Sequence, residues 1–119
     1  MAPVRLTEPH RSTASHVAGE LADAGAIAVV VVGSFARGEA GPDSDLDLLV
    51  IGAESYLPQL SLRDGLILSV SSQPFEIHRE SFGQPELMCN AVSGWREALV
   101  LHDPEGLAAR LIREANDWS

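Results

Sequence analysis

Three segments of the chain have the hydrophobic pattern of β-strands. Ala26–Val32 is a continuous apolar run rich in β-branched residues, which is typical of a strand covered on both faces. Asp45–Ile51 begins with alternating acidic and aliphatic residues and predicts a second strand. Leu66–Ser72 follows the turn dipeptide Asp64-Gly65 and predicts a third. The sequence therefore predicts a sheet whose first two strands are joined by a polar connection.

Helical spacing precedes the first strand and follows the last. From Arg11 onward, apolar residues recur on one helical face until Gly25, a residue suited to ending a helix in a left-handed conformation. Near the other end, Asp103-Pro104-Glu105 has the capping residue, the proline and the early acid of a helix start. We expect that last helix to extend to about Trp118.

The remaining segments give weaker signals. Met1–His10 is polar and predicts a loose lead-in, and Gly33–Ser44 predicts a loop with one helical turn. Glu54–Leu62 stays ambiguous, because its proline disfavours a long helix. A short helix is expected from Pro85 to Val92, and a short fourth strand at Ala98–Leu101. Helices and strands alternate within one unit, so we expect a single domain over residues 1–119, of class α/β or α+β.

Composition restricts the classes of partner. The chain has 119 residues and a formal charge of −9, and its 8 basic residues are all arginine. This net negative charge disfavours binding to nucleic acid or to an anionic membrane over a broad surface. The single cysteine, Cys89, excludes an internal disulfide, and its apolar neighbours predict a buried, inert thiol. With neither a signal-peptide pattern nor an apolar run long enough to span a bilayer, we expect a cytoplasmic protein.

The connection between the first two strands carries the chemistry. It opens with Gly33 and Ser34, small residues that let backbone N–H groups approach an anion such as phosphate. The strand that follows carries Asp45 and Asp47, which are two residues apart and therefore face the same side. Paired carboxylates on an aliphatic strand are costly to bury unless a cation lies between them, and oxygen ligands favour Mg²⁺ or Mn²⁺. Together these features fit a nucleoside triphosphate with its magnesium ions.

This pattern resembles a known family signature. Gly33-Ser34, ten further residues and then Asp45-Leu46-Asp47 is similar to the motif of the DNA polymerase beta nucleotidyltransferase superfamily. Within that superfamily the chain looks like the minimal nucleotidyltransferases, and Arg37-Gly38 after the serine strengthens the match. The resemblance implies a small mixed β-sheet flanked by helices.

The resemblance also implies an activity. The family transfers a nucleoside monophosphate from an NTP, here expected to be AMP from ATP, to a hydroxyl acceptor. Gly33, Ser34 and Gly38 would belong to the nucleotide site, and Asp45 and Asp47 would ligate two magnesium ions, with manganese as an alternative. Arg37 would either neutralise phosphate charge or form a salt bridge to Glu39 or Asp43.

The sequence departs from the family at one point. The family places a third carboxylate on the neighbouring strand, where this chain has Ser69 and Ser71. Glu76 is the best substitute if that strand continues through Phe75 to Ile77. The alternative is that Glu76 is a solvated loop or helix residue.

Two functions from different classes follow. In the first, the protein is an active enzyme. Stand-alone minimal nucleotidyltransferases are often antitoxins that add AMP to a tyrosine of a helical HEPN toxin, and 119 residues leave little room for an acceptor pocket. In the second, it is a degenerate member that binds nucleotide or a partner without catalysis, as the missing acid suggests. A third interpretation is a purely structural strand–turn–strand in which the two aspartates are spaced by chance. It does not explain why two carboxylates share one face of an aliphatic strand. A homo-oligomer is compatible with either function.

Overall fold

The computed structural model describes residues 10–38 and 44–118. The expected lead-in up to Pro9 and the expected partners of Arg37, Glu39 and Asp43, lie outside the described residues. Over the described residues the helices are α1 (His10–Asp23), α2 (Ser34–Arg37), α3 (Phe75–Ser81), α4 (Met88–Glu97) and α5 (Leu107–Asp117). The strands are β1 (Ala28–Val32), β2 (Leu46–Ile51), β3 (Tyr56–Arg63), β4 (Leu66–Gln73) and β5 (Leu99–His102). None of these helices is both long and apolar enough to cross a membrane.

The strands form one mixed sheet in the order β3-β4-β2-β1-β5. β2 lies antiparallel to β1 and parallel to β4, while the hairpin β3–β4 and the pair β1–β5 are antiparallel. The mixed α/β class with a small helix-flanked sheet is therefore confirmed. The predicted strands at the positions of β1, β2, β4 and β5 are all present.

Each face of the sheet has its own hydrophobic core. On the first face, α1 and α2 pack on Val29, Val31 and Leu48. On the second face, α3, α4 and α5 pack on Val30 and Ile51. The apolar run of β1 is thus covered on both sides, as the sequence predicts for a strand without alternation. We call these the α1 face and the α4 face.

The ambiguous segment before Asp64 is the edge strand β3. Its residues are mostly exposed, and a register irregularity between Tyr56 and Gln59 surrounds Pro58. Asp64 and Gly65, with φ of 52° and 79°, form the turn to β4 that the sequence predicts. Thr13 of α1 donates a hydrogen bond of 3.0 Å to the Asp64 carboxylate, which fixes this turn against the α1 face.

Several sequence-based expectations need correction. The chain does not continue as a strand beyond Pro74; it enters α3 at Phe75, because Pro74 has the extended backbone of a helix N-cap. α4 begins at Met88, later than expected, and extends past Val92. Cys89 on α4 is exposed, so the expectation of a buried thiol is wrong. α5 begins after Gly106 instead of directly at Pro104.

Candidate active site

The turn after β1 is stabilised by buried side chains in its middle, and glycines with positive φ stand at both of its ends. Gly33 has φ 78° and ψ −155°, and Gly38 closes α2 in the left-handed region with φ 73°. These are conformations that residues with a Cβ adopt only with strain. Between them, Phe35 and Ala36 are buried in the core of the α1 face. The single helical turn expected in this loop is therefore present, and it is anchored from one side.

Gly33 lies against the carboxylate of Asp47. The antiparallel register pairs Val32 with Asp47, so the residue after β1 reaches the start of β2. A Cβ on Gly33 would lie 2.8 Å from Oδ2 of Asp47, closer than van der Waals contact permits. The turn and the carboxylate that the sequence motif associates are thus close together, and a side chain at Gly33 would have to displace the carboxylate.

The two aspartates form an electrostatically coupled pair. Asp47 is half-buried on the α4 face, and burial raises the pKa of its carboxyl above the usual range; the negative charge of Asp45 raises that pKa further. A carboxylate destabilised by burial and by a second negative charge is relieved by a bound cation. The donor set therefore fits a hard divalent ion such as magnesium, with phosphate and water oxygens completing its coordination.

The neighbouring strand brings a serine to this pair. The parallel register places Ser69 of β4 beside Asp47. Glu76 lies on α3, beyond Gln73, which pairs with Ile51 at the opposite end of β2. The four residue-to-residue steps from Ser69 to Gln73 alone span about 13 Å. The structure therefore does not bring Glu76 to Asp45 and Asp47, and the alternative interpretation of Glu76 as a solvated helix residue agrees with its exposure.

The described residues contain no larger cluster of metal-binding side chains. In residues 10–38 and 44–118, no group of three or more His, Cys, Asp and Glu side chains has the arrangement to hold a metal ion.

Arg37 forms an ion pair that the sequence did not predict. Its Nη1 lies 3.5 Å from Oε2 of Glu97 on α4, and both side chains are more than one third exposed, at 39% and 37%. Exposed ion pairs of this kind contribute less than about 1 kcal/mol. Arg37 therefore links the turn to α4 while remaining accessible to a phosphate. Its partner is 60 residues away along the chain and no local pattern indicates it.

A cavity on the α4 face is the feature that sequence reasoning missed. Its volume is about 450 Å³, and it lies between the sheet and helices α3 and α4. Leu49, which follows Asp47 by two residues on the same side of β2, forms part of its wall. No local signal marks this cavity, because its lining residues come from segments distant in sequence.

His78 on α3 is a structural residue. Only 5% of it is exposed, and its Nε2 lies 2.9 Å from the carbonyl oxygen of Val50. Burial lowers the pKa of its imidazole, and the edge of Trp95 packs against it with ring centroids 5.3 Å apart. His78 is therefore neutral at pH 7 and ties α3 to β2.

Comparisons with known proteins agree with this geometry. The family model for the nucleotidyltransferase domain matches residues 16–81, more than half of the chain. Among solved structures, the chain is similar to a nucleotidyltransferase-like protein from Exiguobacterium sibiricum 255-15, with a TM-score of 0.68 and 13% sequence identity. That match covers 91% of this chain and 39% of the other, so this chain spans less than half the length of that protein. No curated protein is significantly similar in sequence.

Proposed function

Because the chain belongs to the nucleotidyltransferase domain family, we propose that it is a magnesium-dependent nucleotidyltransferase that transfers AMP from ATP to a hydroxyl acceptor. The contact between Gly33 and Asp47 carries this proposal, since it brings the phosphate-binding turn and a destabilised carboxylate to one point. Membership of the family supports nucleotidyl transfer in general, while ATP, magnesium and the acceptor are the parts that experiment must test.

Each residue of the site has a defined role in this proposal. The small residues Gly33 and Ser34 let the β- and γ-phosphates approach the backbone closely, and Arg37 exchanges its exposed partner Glu97 for phosphate oxygen. Asp45 and Asp47 hold magnesium, which when bound offsets the negative charge of the phosphates. The acceptor oxygen forms a bond to the α-phosphorus, the bond to pyrophosphate breaks, and the acceptor proton passes to solvent.

The specific acceptor in this proposal is a tyrosine of a helical HEPN protein, which gives the chain an antitoxin role. The support for it is the resemblance of Gly33-Ser34 and Asp45-Leu46-Asp47 to stand-alone minimal nucleotidyltransferases. The natural candidate is the protein encoded by the adjacent gene.

Labelled ATP tests the reaction. The full chain is incubated with Mg²⁺, the adjacent gene's product and ATP labelled at either the α- or the γ-phosphate. Nucleotidyl transfer predicts that only the α-label enters protein, that a chelator prevents it, and that Asp47→Asn abolishes it. Incorporation of the γ-label, or unchanged labelling by Asp47→Asn, would contradict the proposal.

Stability measurements exclude unfolding as the cause of such a loss. The raised pKa means that folded Asp47 holds its proton to higher pH than unfolded Asp47, so metal-free wild type loses stability as pH rises through that window. Above the pKa of folded Asp47, the full destabilisation by the ionised carboxylate is present, and Asp47→Asn removes it. We therefore expect metal-free Asp47→Asn to be at least as stable as wild type at pH 7 by urea denaturation, with the difference shrinking at acidic pH.

A second candidate function is a nucleotide- or partner-binding module without catalysis. Ser69 favours it, because this serine stands beside Asp47 on the strand from which the family supplies a third carboxylate. In that case wild type binds Mg²⁺·ATP, Asp47→Asn does not, and neither transfers the α-label to any acceptor.

A further inference from the structure

The cavity on the α4 face lies directly beside the candidate active site. Its wall on the sheet side includes Leu49, Ser71 and Gln73, and its wall on the helix side includes Gly94 and Trp95. The register pairs Leu49 with Ser71. This pair lies on the same face as the pair formed by Asp47 and Ser69, two residues further along β2 and β4. Two residues of a strand span about 7 Å, so the cavity opens within a small molecule's length of the carboxylates.

The lining of this cavity has no ionised group. Among the described residues that line it there is no Asp, Glu or Arg, although the chain as a whole contains 17 acidic residues and 8 arginines. His78, its one histidine, stays neutral because burial lowers the pKa of the imidazole. The cavity's other side chains with a hydroxyl or an amide group are uncharged: Tyr56, Ser71, Gln73, Ser81 and Asn90. An apolar pocket with a few polar groups suits a neutral ligand with an apolar body and one or two hydrogen-bonding groups.

The geometry of phosphoryl transfer indicates which ligand would enter. The attacking and leaving oxygens lie roughly in line through the phosphorus. The leaving pyrophosphate belongs at Gly33 and Ser34, which are on the β1 side of β2. The acceptor must then approach from the other side of β2, and that is the side of β4 and β3 where the cavity lies.

We propose that this cavity is the acceptor site and that it takes a neutral hydroxyl compound with an apolar body, such as a phenol. The inference rests on the proposed function and names the acceptor class for that site. It also revises the expectation that so short a chain has little room for an acceptor pocket. A free phenol and the side chain of a tyrosine presented by another protein share this chemistry.

Two glycines provide a matched pair of variants. Gly94 is a helical residue in the cavity wall, and a Cβ added there meets none of the described atoms within 4 Å. Gly94→Leu therefore starts from a Cβ that clashes with nothing, adds volume at the cavity wall and raises helix propensity. Gly19 on α1 is equally open and is remote from the cavity, so Gly19→Leu is the control for any general effect of the added side chain.

Binding to the full chain is measured by calorimetry with 4-methylumbelliferone, a neutral phenol, and with glucosamine, a cationic polyol. We expect wild type and Gly19→Leu to bind the phenol alike, and Gly94→Leu to bind it at least about tenfold more weakly. Mg²⁺·ATP affinity is expected to stay within about twofold in all three. Gln73→Glu keeps the shape of the wall and adds a charge, so it is expected to weaken phenol binding in favour of glucosamine and provides a second test if Gly94→Leu does not fold.

The outcomes separate this inference from the proposed function. Equal phenol binding by Gly94→Leu and Gly19→Leu, preference of wild type for glucosamine, or absence of phenol binding overturns the acceptor site. Loss of Mg²⁺·ATP affinity in Gly94→Leu alone overturns it by assigning the cavity to the nucleobase. Asp47→Asn is expected to bind the phenol normally, so loss of catalysis leaves this test intact. With α-labelled ATP, label on the free phenol identifies a small-molecule acceptor. Label on the adjacent gene's product that Gly94→Leu abolishes identifies a side chain of another protein as the acceptor, and mapping the labelled residue tests whether it is a tyrosine.

Discussion

Gly33 and Asp47 constrain each other, and this contact is the most specific feature of the site at the scale of single residues. Gly33 has a left-handed φ of 78° and leaves no space for a Cβ beside Oδ2 of Asp47. The sequence spacing predicts that both residues belong to one site. It does not predict that they touch, because the contact depends on the antiparallel register of β1 and β2.

Gly33 is constrained by its positive φ and by the nearby Asp47 carboxylate, and a comparison of substitutions at Gly33 and Gly65 separates the two effects. Gly65 has nearly the same φ, 79°, and a Cβ there meets none of the described atoms within 4 Å. Gly65→Ala is expected to lose about 1–2 kcal/mol of stability from backbone strain alone. Gly33→Ala is expected to lose more and also to displace the Asp47 carboxylate, so that Mg²⁺·ATP binding falls while Gly65→Ala binds normally. Urea denaturation and calorimetry measure both effects; equal losses of stability with nucleotide binding intact would contradict this account.

Secondary-structure elements depend on caps that can be some residues removed from their ends. α5 begins at Leu107, yet both carboxylate oxygens of Asp103 accept hydrogen bonds from its first turn, from the backbone N–H of Ala108 at 3.0 Å and of Ala109 at 2.9 Å. The sequence predicts the capping role of Asp103 correctly but places the helix start too early, because the chain makes a turn through Gly106 first.

Loss of this cap has a measurable cost. Asp103→Ala removes both acceptors and is expected to lower the free energy of unfolding by about 1 kcal/mol. Asp103→Asn keeps one good acceptor and is expected to lose about half of that or less. Thermal denaturation of the two variants at neutral pH provides the measurement, and equal melting temperatures for wild type and Asp103→Ala would show that the cap is redundant.

The elements that the sequence identifies are those whose burial is one-sided or complete. β1, β2 and β4 lie inside the sheet and show it in their apolar patterns. β3 gives no such pattern, because it is an edge strand with both faces largely exposed and Pro58 in its midst. The first turn of α3 resembles a strand extension in sequence, and only the backbone at Pro74 determines that the chain turns there.

At the scale of the whole molecule, the two faces of the sheet have different uses. The α1 face holds a core that extends from Ala14 to Leu68. The α4 face holds the second core at one end and the carboxylates and the cavity elsewhere. Family resemblance predicts the proposed phosphate side of the site, since that side follows a local motif. The proposed acceptor side is assembled from β2, β4, α3 and α4, which are distant in sequence, so it is recognised only in the folded chain.

The open edge at β3 also leads to an expectation about how copies of the molecule behave toward one another in solution. Leu60 is 68% exposed and Leu62 is 74% exposed, and both lie on the α4 face beside Ile67. An uncovered apolar edge strand is a template for pairing with another strand, whereas a net charge of −9 keeps copies apart. Screening shortens the range of that repulsion from about 30 Å at 0.01 M salt to about 10 Å at 0.1 M. The protein should therefore associate more readily as salt is added. Proteins that become more soluble in salt show the opposite dependence.

Light scattering across this salt range tests that consequence. We expect the apparent mass of wild type to rise with salt and that of Leu60→Ser/Leu62→Ser to stay constant. Val100→Ser, on the opposite edge strand β5, is the control and should behave as wild type does. A rise in all three proteins would assign the association to another surface. We therefore expect ionic strength to set how many candidate sites one particle carries: one at low salt, and two at higher salt where the β3 edges of two copies pair.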